Sequence, residues 1–78
     1  MNKPRRRELE KALDLIARAR DIIEQARDEE QEAFDNLPES IQDGEQGGRM
    51  SEFIDILENA CDELDEIGAE IEDDVINT

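Results

Sequence analysis

The fold is decided by residues 50–71, MSEFIDILENACDELDEIGAEI, in which an apolar side chain returns at every third or fourth position. This period matches the α-helical repeat and is typical of a helix that buries one stripe. The pattern predicts a helix over about 50–75. In a heptad counted from Met50, the a positions are Met50, Leu57, Leu64 and Ile71, and the d positions are Phe53, Ala60, Ile67 and Asp74.

The same period occurs near the N-terminus and predicts a first helix over about 4–35. Of the sixteen a and d positions in the two segments, only Glu30 and Asp74 are charged, although 42% of the chain is charged. A disordered acidic chain would not keep charge out of such a stripe. Counted from Leu9, the a positions are Leu9, Ile16, Ile23 and Glu30, and the d positions are Ala12, Ala19, Ala26 and Ala33.

Residues 36–49 are predicted to be the loop between the helices. Leu37 precedes Pro38 and is pushed away from helical geometry, residues 38–42 can form a short helical turn, and residues 43–48 contain three glycines. The predicted fold is therefore all-α: one domain, 1–78, folded as an antiparallel two-helix hairpin that resembles a coiled coil.

Charge favours the antiparallel arrangement, because it brings Arg5, Arg6 and Arg7 beside the acids of residues 70–74. Each cluster opposes the dipole of its own helix, so neutralisation by the other helix is favourable. The alanines at d should let the second helix approach closely.

The apolar stripe is wider than one seam, so a single hairpin cannot cover all of it. Three arrangements are consistent with this width: two hairpins pair into a four-helix bundle, the flank binds another protein, or it stays in water. The apolar residues at e and g are Leu13, Leu15, Ile22, Phe34, Ile54, Ile56, Cys61 and Val75.

The charge is divided unevenly along the chain. Residues 1–27 carry eight Lys or Arg and five acids, whereas residues 28–78 carry one Arg and nineteen acids. The second helix has about one acid per 3 Å of axis at the helical rise, close to the one phosphate per 3.4 Å of a DNA strand. The predicted partner-binding acids are Glu52, Asp55, Glu58, Asp62, Asp65 and Glu66, extended by Asp28, Glu29, Glu32 and Asp35.

Catalytic chemistry is not indicated. The chain has no His, so Ser-His and Cys-His pairs are excluded, and its one thiol, Cys61, lies among acids that blunt its nucleophilicity. Gly44, Gly47 and Gly48 follow no strand and lack the Lys of a phosphate loop. No metal-binding motif is present. We therefore expect a protein that is not an enzyme and that needs no cofactor or metal.

The stretch DEEQEAFDNLPESIQ, residues 28–42, resembles one that recurs in small acidic helical-hairpin proteins of phages and mobile elements of Gram-positive bacteria. The basic start and the acidic second helix are similar as well. In size and acidity the chain also resembles phage anti-CRISPR and anti-restriction proteins. These resemblances imply a protein that acts on host defence or on DNA-processing machinery, but they assign no functional residue.

The expected function is inhibition of a basic nucleic-acid-binding protein, such as a CRISPR effector or a restriction enzyme, by mimicry of DNA or RNA. A net charge of −15 opposes direct binding to nucleic acid or to an anionic membrane. The chain has no apolar leader and no run of about 20 apolar residues, so we expect it in the cytoplasm of the bacterial host. The alternative is a dimeric helical adaptor that binds through an apolar flank of Leu15, Ile22, Ile54 and Ile56.

Overall fold

The computed structural model describes residues 1–78 and is all-α, with 88% of the chain helical. Helix α1 spans Lys3–Asp35, the short α2 spans Glu39–Gln42 and α3 spans Glu45–Ile71, followed by a π-helical segment, Glu72–Ile76. Ion pairs join Arg20 to Asp65 and Arg27 to Glu58, so residue numbers rise along α1 as they fall along α3. The prediction of an antiparallel helical hairpin is confirmed, and the molecule measures 58 × 16 × 13 Å.

Helix α1 begins and ends where local chemistry favours it. The side chain of Asn2 accepts a hydrogen bond from the Arg5 amide at 2.8 Å, and Pro4 occupies the first turn, where its missing N–H costs nothing. At the other end, the residue before Pro38 cannot continue the helix. The Asn36 amide donates to the Glu32 carbonyl oxygen at 3.1 Å, and the Leu37 amide donates to the Phe34 carbonyl oxygen at 3.0 Å, which closes the last turn.

The corner between the long helices is a compact structure built around α2. The side-chain amide of Gln42 donates to the carbonyl oxygen of Phe34 at 2.9 Å and thereby ties α2 to the end of α1. On the opposite side, Gly47 of α3 is buried against the backbone of Gln42. The corner is therefore fixed by one hydrogen bond and one close backbone contact.

Two sequence expectations about this region need correction. The loop predicted over 36–49 contains α2, and α3 starts at Glu45, five residues before Met50. The three glycines of residues 43–48 were predicted to lie in the loop, but Gly47 and Gly48 lie inside the first turns of α3. The contact of Gly47 with Gln42 explains the difference, since tertiary packing here outweighs the low helix propensity of glycine.

The seam between α1 and α3 uses a and e positions, and the prediction of a and d was wrong. Ile54 and Cys61, both at e, are 6% exposed and are the most buried apolar side chains. The d residues Phe53 and Ile67 are 46% and 45% exposed. The predicted seam alanines Ala19, Ala26 and Ala33 are also exposed.

Relative to a seam of a and d positions, each helix is turned about its own axis by about 50°, as estimated from the helical repeat. Side-chain size accounts for this rotation. The a and e seam buries larger residues than a seam containing the alanines of α1 would, and burial of large apolar side chains dominates packing energy. Close approach comes instead from small residues of α3. Gly68 has the side chain of Ile16 4.0 Å from where its Cβ would be, and the Cys61 Sγ lies 3.6 Å from the Arg20 carbonyl oxygen.

None of the helices combines the length and the apolar character needed to cross a membrane.

Candidate functional site

Two rows of carboxylates run along one side of the hairpin, one on each long helix. They occupy the b and f heptad positions, which recur every three or four residues and so lie on one helix face. All members are exposed except Glu24, which is half-buried. We call this surface the acidic face; it consists of Glu10, Asp14, Asp21, Glu24, Asp28 and Asp35 on α1 and Asp55, Glu58, Asp62 and Asp65 on α3.

The rows lie side by side because the seam uses a and e positions. With that seam and antiparallel helices, the b positions of both helices flank the same edge of the contact. The structure shows this directly: one shallow depression is lined by Glu24 and Asp28 of α1 and by Glu58 and Asp62 of α3. A hairpin packed through a and d would have spread these acids farther from each other.

Arg20 and Arg27 are the cations between the two rows. Both occupy e positions of α1, where the stem of the side chain covers the seam and the guanidinium reaches the acidic face. Arg20 pairs with Glu24 and, at 3.1 Å, with Asp65. Arg27 pairs with Glu58 and, at 3.1 Å, with Asp28. These bridges favour the observed register of α1 against α3, although partly exposed pairs contribute little to stability by themselves.

The Arg27 guanidinium is charged at any physiological pH, and its ion pairs favour this form further. Its hydrogen bond to Glu58, followed by that to Asp28, raises the pKa of the Arg27 guanidinium above its ordinary value. The Nε of Arg27 is buried in the seam and has no hydrogen-bond partner. Arg27 thus offsets one of the two negative charges of Asp28 and Glu58 and is part of the scaffold of the face.

The ten acids predicted to bind a partner are all exposed, but the structure does not place them on one surface. Six belong to the acidic face: Asp28, Asp35, Asp55, Glu58, Asp62 and Asp65. Glu52 and Glu66 lie along the outer edge of α3, Glu32 lies along the outer edge of α1, and Glu29 lies on the side opposite the acidic face. Three of the six, namely Asp28, Glu58 and Asp65, form ion pairs with Arg20 or Arg27.

Sequence reasoning missed four members of the acidic face, Glu10, Asp14, Asp21 and Glu24. They belong to the half of the chain with a positive balance, so net charge by segment concealed them. The signal that could have found them is the size of the residues at e, which favours the a and e seam and so brings b and f together.

The clusters at the open end of the hairpin are not joined by ion pairs. No carboxylate of residues 70–74 lies within 4.0 Å of Arg5, Arg6 or Arg7, although α1 does contact the π-helical segment. The bridges of Arg20 and Arg27, in the middle of α1, set the orientation instead. The expected neutralisation at the termini is therefore at most a long-range effect.

Cys61 is 6% exposed and packs in the seam with its thiol directed at a carbonyl oxygen. No group of three or more His, Cys, Asp or Glu side chains is arranged to hold a metal ion. Ile54, which the adaptor hypothesis places on an exposed flank, is buried, so that assignment was wrong.

The chain matches no protein-family model, no curated protein and no solved structure. The resemblance to phage-encoded hairpins remains a prediction, and the function is argued from the acidic face itself.

The charge of the face predicts that salt stabilises the hairpin. Repulsion among the carboxylates opposes the folded state, and the Debye length falls from about 30 Å at 0.01 M to about 3 Å at 1 M salt. We expect NaCl over this range to add about 1 kcal/mol of stability, which for so small a chain raises the melting midpoint by about 4–8 °C. Circular dichroism at 222 nm measures the midpoint.

The control for the salt experiment is the Asp55→Asn, Asp62→Asn double variant. It removes two unpaired charges from the acidic face with little change of shape, so its midpoint should rise less with NaCl than that of the wild type. A wild-type midpoint that falls with NaCl would contradict the prediction, because the bridges of Arg20 and Arg27 would then outweigh the repulsion.

Proposed function

We propose that this hairpin binds a basic nucleic-acid-binding surface of another protein and inhibits it by occupying the place of nucleic-acid phosphates. One observation carries the proposal: two rows of carboxylates share a single face, and Arg20 and Arg27 lie in the seam between them. The cations at b and f positions, Lys3 and Arg7, lie at the open end of the hairpin, away from the loop half. A partner approaching this face meets carboxylates in parallel lines. This geometry suits a cleft lined with Lys and Arg.

The loop half of the hairpin carries the strongest field. Residues 28–58 hold eleven acids and a single Arg, Arg49, which lies 3.5 Å from Glu45. On the acidic face of this half and of the adjacent turn, Asp35, Asp55 and Asp62 take part in no ion pair. Such a surface attracts a basic cleft over a distance of about one Debye length, and the attraction raises the association rate.

Rigidity distinguishes this surface from a disordered acidic tail. The carboxylates project from two helices that are packed through Ile54 and Cys61 and joined by the bridges of Arg20 and Arg27. Neighbours three or four residues apart on one helix are held at about 5–6 Å between Cβ atoms. A partner therefore does not have to order the chain on binding, which lowers the entropic cost of association.

We propose the target class from the resemblance to hairpin proteins of phages and mobile elements. It is a defence or DNA-processing enzyme with a nucleic-acid channel, such as an RNA-guided nuclease or a restriction endonuclease. Binding to such an enzyme would be competitive with DNA and would weaken with salt, because salt screens the attraction between the carboxylates and the basic cleft.

The test is competition for a fluorescein-labelled DNA duplex on a purified RNA-guided nuclease and on a purified restriction endonuclease, read by anisotropy at several salt concentrations. The wild-type hairpin should displace DNA from at least one of them. The Asp55→Lys, Asp62→Lys variant should lose roughly tenfold or more in affinity, because two favourable contacts become repulsive.

The matched control is the Glu70→Lys, Asp73→Lys variant, which makes the same change in net charge away from the acidic face. It should keep its affinity within about threefold, as expected for charges that act only over long range. Equal losses in both variants would show that net charge alone matters and would overturn the assignment of the face. Failure to displace DNA from either enzyme would overturn the inhibitor function for these classes.

A helical adaptor is the second candidate, and the exposure of Leu15, Ile22 and Ile56, at 64%, 69% and 56%, favours it. In that case Asp55→Lys, Asp62→Lys would leave partner binding nearly unchanged, whereas Ile22→Asp with Ile56→Asp would abolish it. Ile54→Asp is not a useful probe of this flank, because it places a charge in the seam.

A further inference from the structure

The side of the hairpin opposite the acidic face is apolar. The d and g positions of both helices meet there, because the antiparallel arrangement places the two d rows on the same edge of the seam. We call this surface the apolar face. It consists of Leu15, Ala19, Ile22 and Ala26 on α1 and Phe53, Ile56, Ala60 and Ile67 on α3.

The large side chains of the apolar face are unusually exposed to solvent for a folded protein. Leu15 and Ile22 are 64% and 69% exposed, Ile56 is 56% exposed, and Phe53 and Ile67 are close to 45%. Charged residues also occupy g positions at the outer edges of this side, namely Glu8 and Glu29 on α1 and Arg49, Glu63 and Glu70 on α3. The centre of the face is formed by alanines and by Ile67, which offer a smooth surface for close packing.

The seam alone gives the hairpin almost no core. Ile54 and Cys61 are the only apolar residues classed as buried, and no side chain in the chain is fully buried. Stable domains are built from layers that cover each other's apolar surfaces. The hairpin is a single layer of two helices, so no second layer covers its apolar face.

The exposed area gives the size of the missing layer. The chain exposes 5863 Å², whereas a globular protein of 8.9 kDa exposes about 4,800 Å² by the usual scaling. The excess of about 1,000 Å² is close to the roughly 800 Å² that each partner buries in a standard interface. One interface of ordinary size therefore accounts for the surplus.

We infer that a second copy of this chain covers the apolar face and that the two hairpins form a four-helix bundle. A copy of the chain is present whenever the chain is made, so it supplies the missing layer without another protein. The charge distribution is compatible with this pairing. The apolar faces meet inside, and the two acidic faces point outwards on opposite sides of the bundle, where their mutual repulsion is smallest.

The inference is independent of the proposed function, because the acidic face stays open in either oligomeric state. Sedimentation equilibrium of the wild-type chain tests it directly, since it gives mass without regard to the elongated shape. At about 50 µM we expect twice the chain mass of 8.9 kDa. A mass of one chain at that concentration would overturn the inference, and so would a mass above two chains.

Two pairs of variants locate the interface. Ala19→Glu with Ile22→Glu places two charges on the apolar face and should raise the dimer dissociation constant by roughly a hundredfold or more. Ala17→Glu with Gln25→Glu is the matched control, because it adds the same two charges at exposed positions of α1 off the apolar face. Ala17 is also exposed and lies two residues from Ala19 but on the opposite side of α1, so this control should sediment as the wild type does. Equal weakening by both pairs would overturn the assignment of the face.

A measurement on the wild type keeps the inference testable if the charged variant does not fold. Unfolding of a dimer depends on concentration, so the melting midpoint should rise as the protein concentration is increased a hundredfold. A midpoint that does not move over this range would show that the hairpin folds as a monomer. Docking of another protein on the apolar face would then be the remaining explanation for its exposure.

Discussion

Replacing Ile54 by Ala should leave the chain largely unfolded at 37 °C. Ile54 is 6% exposed and lies in the seam on α3, one turn before Glu58, which pairs with Arg27. Truncating a buried Ile to Ala costs about 2–5 kcal/mol, because apolar contacts are lost and a cavity remains. A small scaffold rarely has more than about 3–5 kcal/mol in total. One substitution can therefore remove most of the stability.

Urea unfolding followed by circular dichroism measures this loss at a fixed protein concentration. Ile41→Ala is the control, because Ile41 is 39% exposed and lies on α2, outside the seam. Its cost should be clearly smaller, at about 1 kcal/mol or less, since part of its surface is already hydrated. Equal costs for the two variants would show that Ile54 is not the centre of the core.

Replacing Gly47 by Ala should open the corner between α1 and α3. A Cβ at position 47 would overlap the carbonyl oxygen of Gln42 and lie 2.5 Å from its carbonyl carbon and its Cα. Backbone atoms cannot rotate away as a side chain would, so α2 has to move. We expect a loss of about 1–3 kcal/mol, typical of overpacking. The hydrogen bond from Gln42 to the Phe34 carbonyl should be lost with it.

Gly48→Ala is the matched control for Gly47→Ala. No atom outside its own helix lies within 4 Å of a Cβ built at Gly48. Because Ala is a better helix former than Gly, this variant should gain about 0.5–1 kcal/mol. Hydrogen exchange adds a local readout: the amides of Gln42 and Asp43, which donate to the carbonyls of Pro38 and Glu39, should exchange faster in Gly47→Ala only. Unchanged exchange in that variant would contradict the close contact.

The two long helices could be predicted from the sequence because their apolar period is clear and because Pro38 disfavours helical geometry at the residue before it. The prediction of a loop at Gly47 and Gly48 was wrong, because the local structure depends on the contact between Gly47 and Gln42. The predicted rotation of the helices was also wrong. A stripe that covers a, d, e and g is compatible with two seams, and the choice between them depends on how side chains from both helices fill a shared space.

The candidate site was predicted in the same partial way. The exposure of Asp55 and Asp62 follows from their distance from any apolar stripe, and the structure agrees. The grouping of Asp14 and Asp21 with them depends on the antiparallel register. No pattern within one helix contains that information.

The helices, the acidity and the amount of apolar surface can be predicted from composition and from a period along one chain. Which apolar residues meet in the seam, and which remain outside, depends on how the two helices pack against each other. That choice sorted the surface into an acidic face and an apolar face. Packing depends on side chains from both helices, which no pattern along one helix contains. The helix orientation that buries Ile54 and Cys61 leaves Ile22 and Ile67 exposed on the same side.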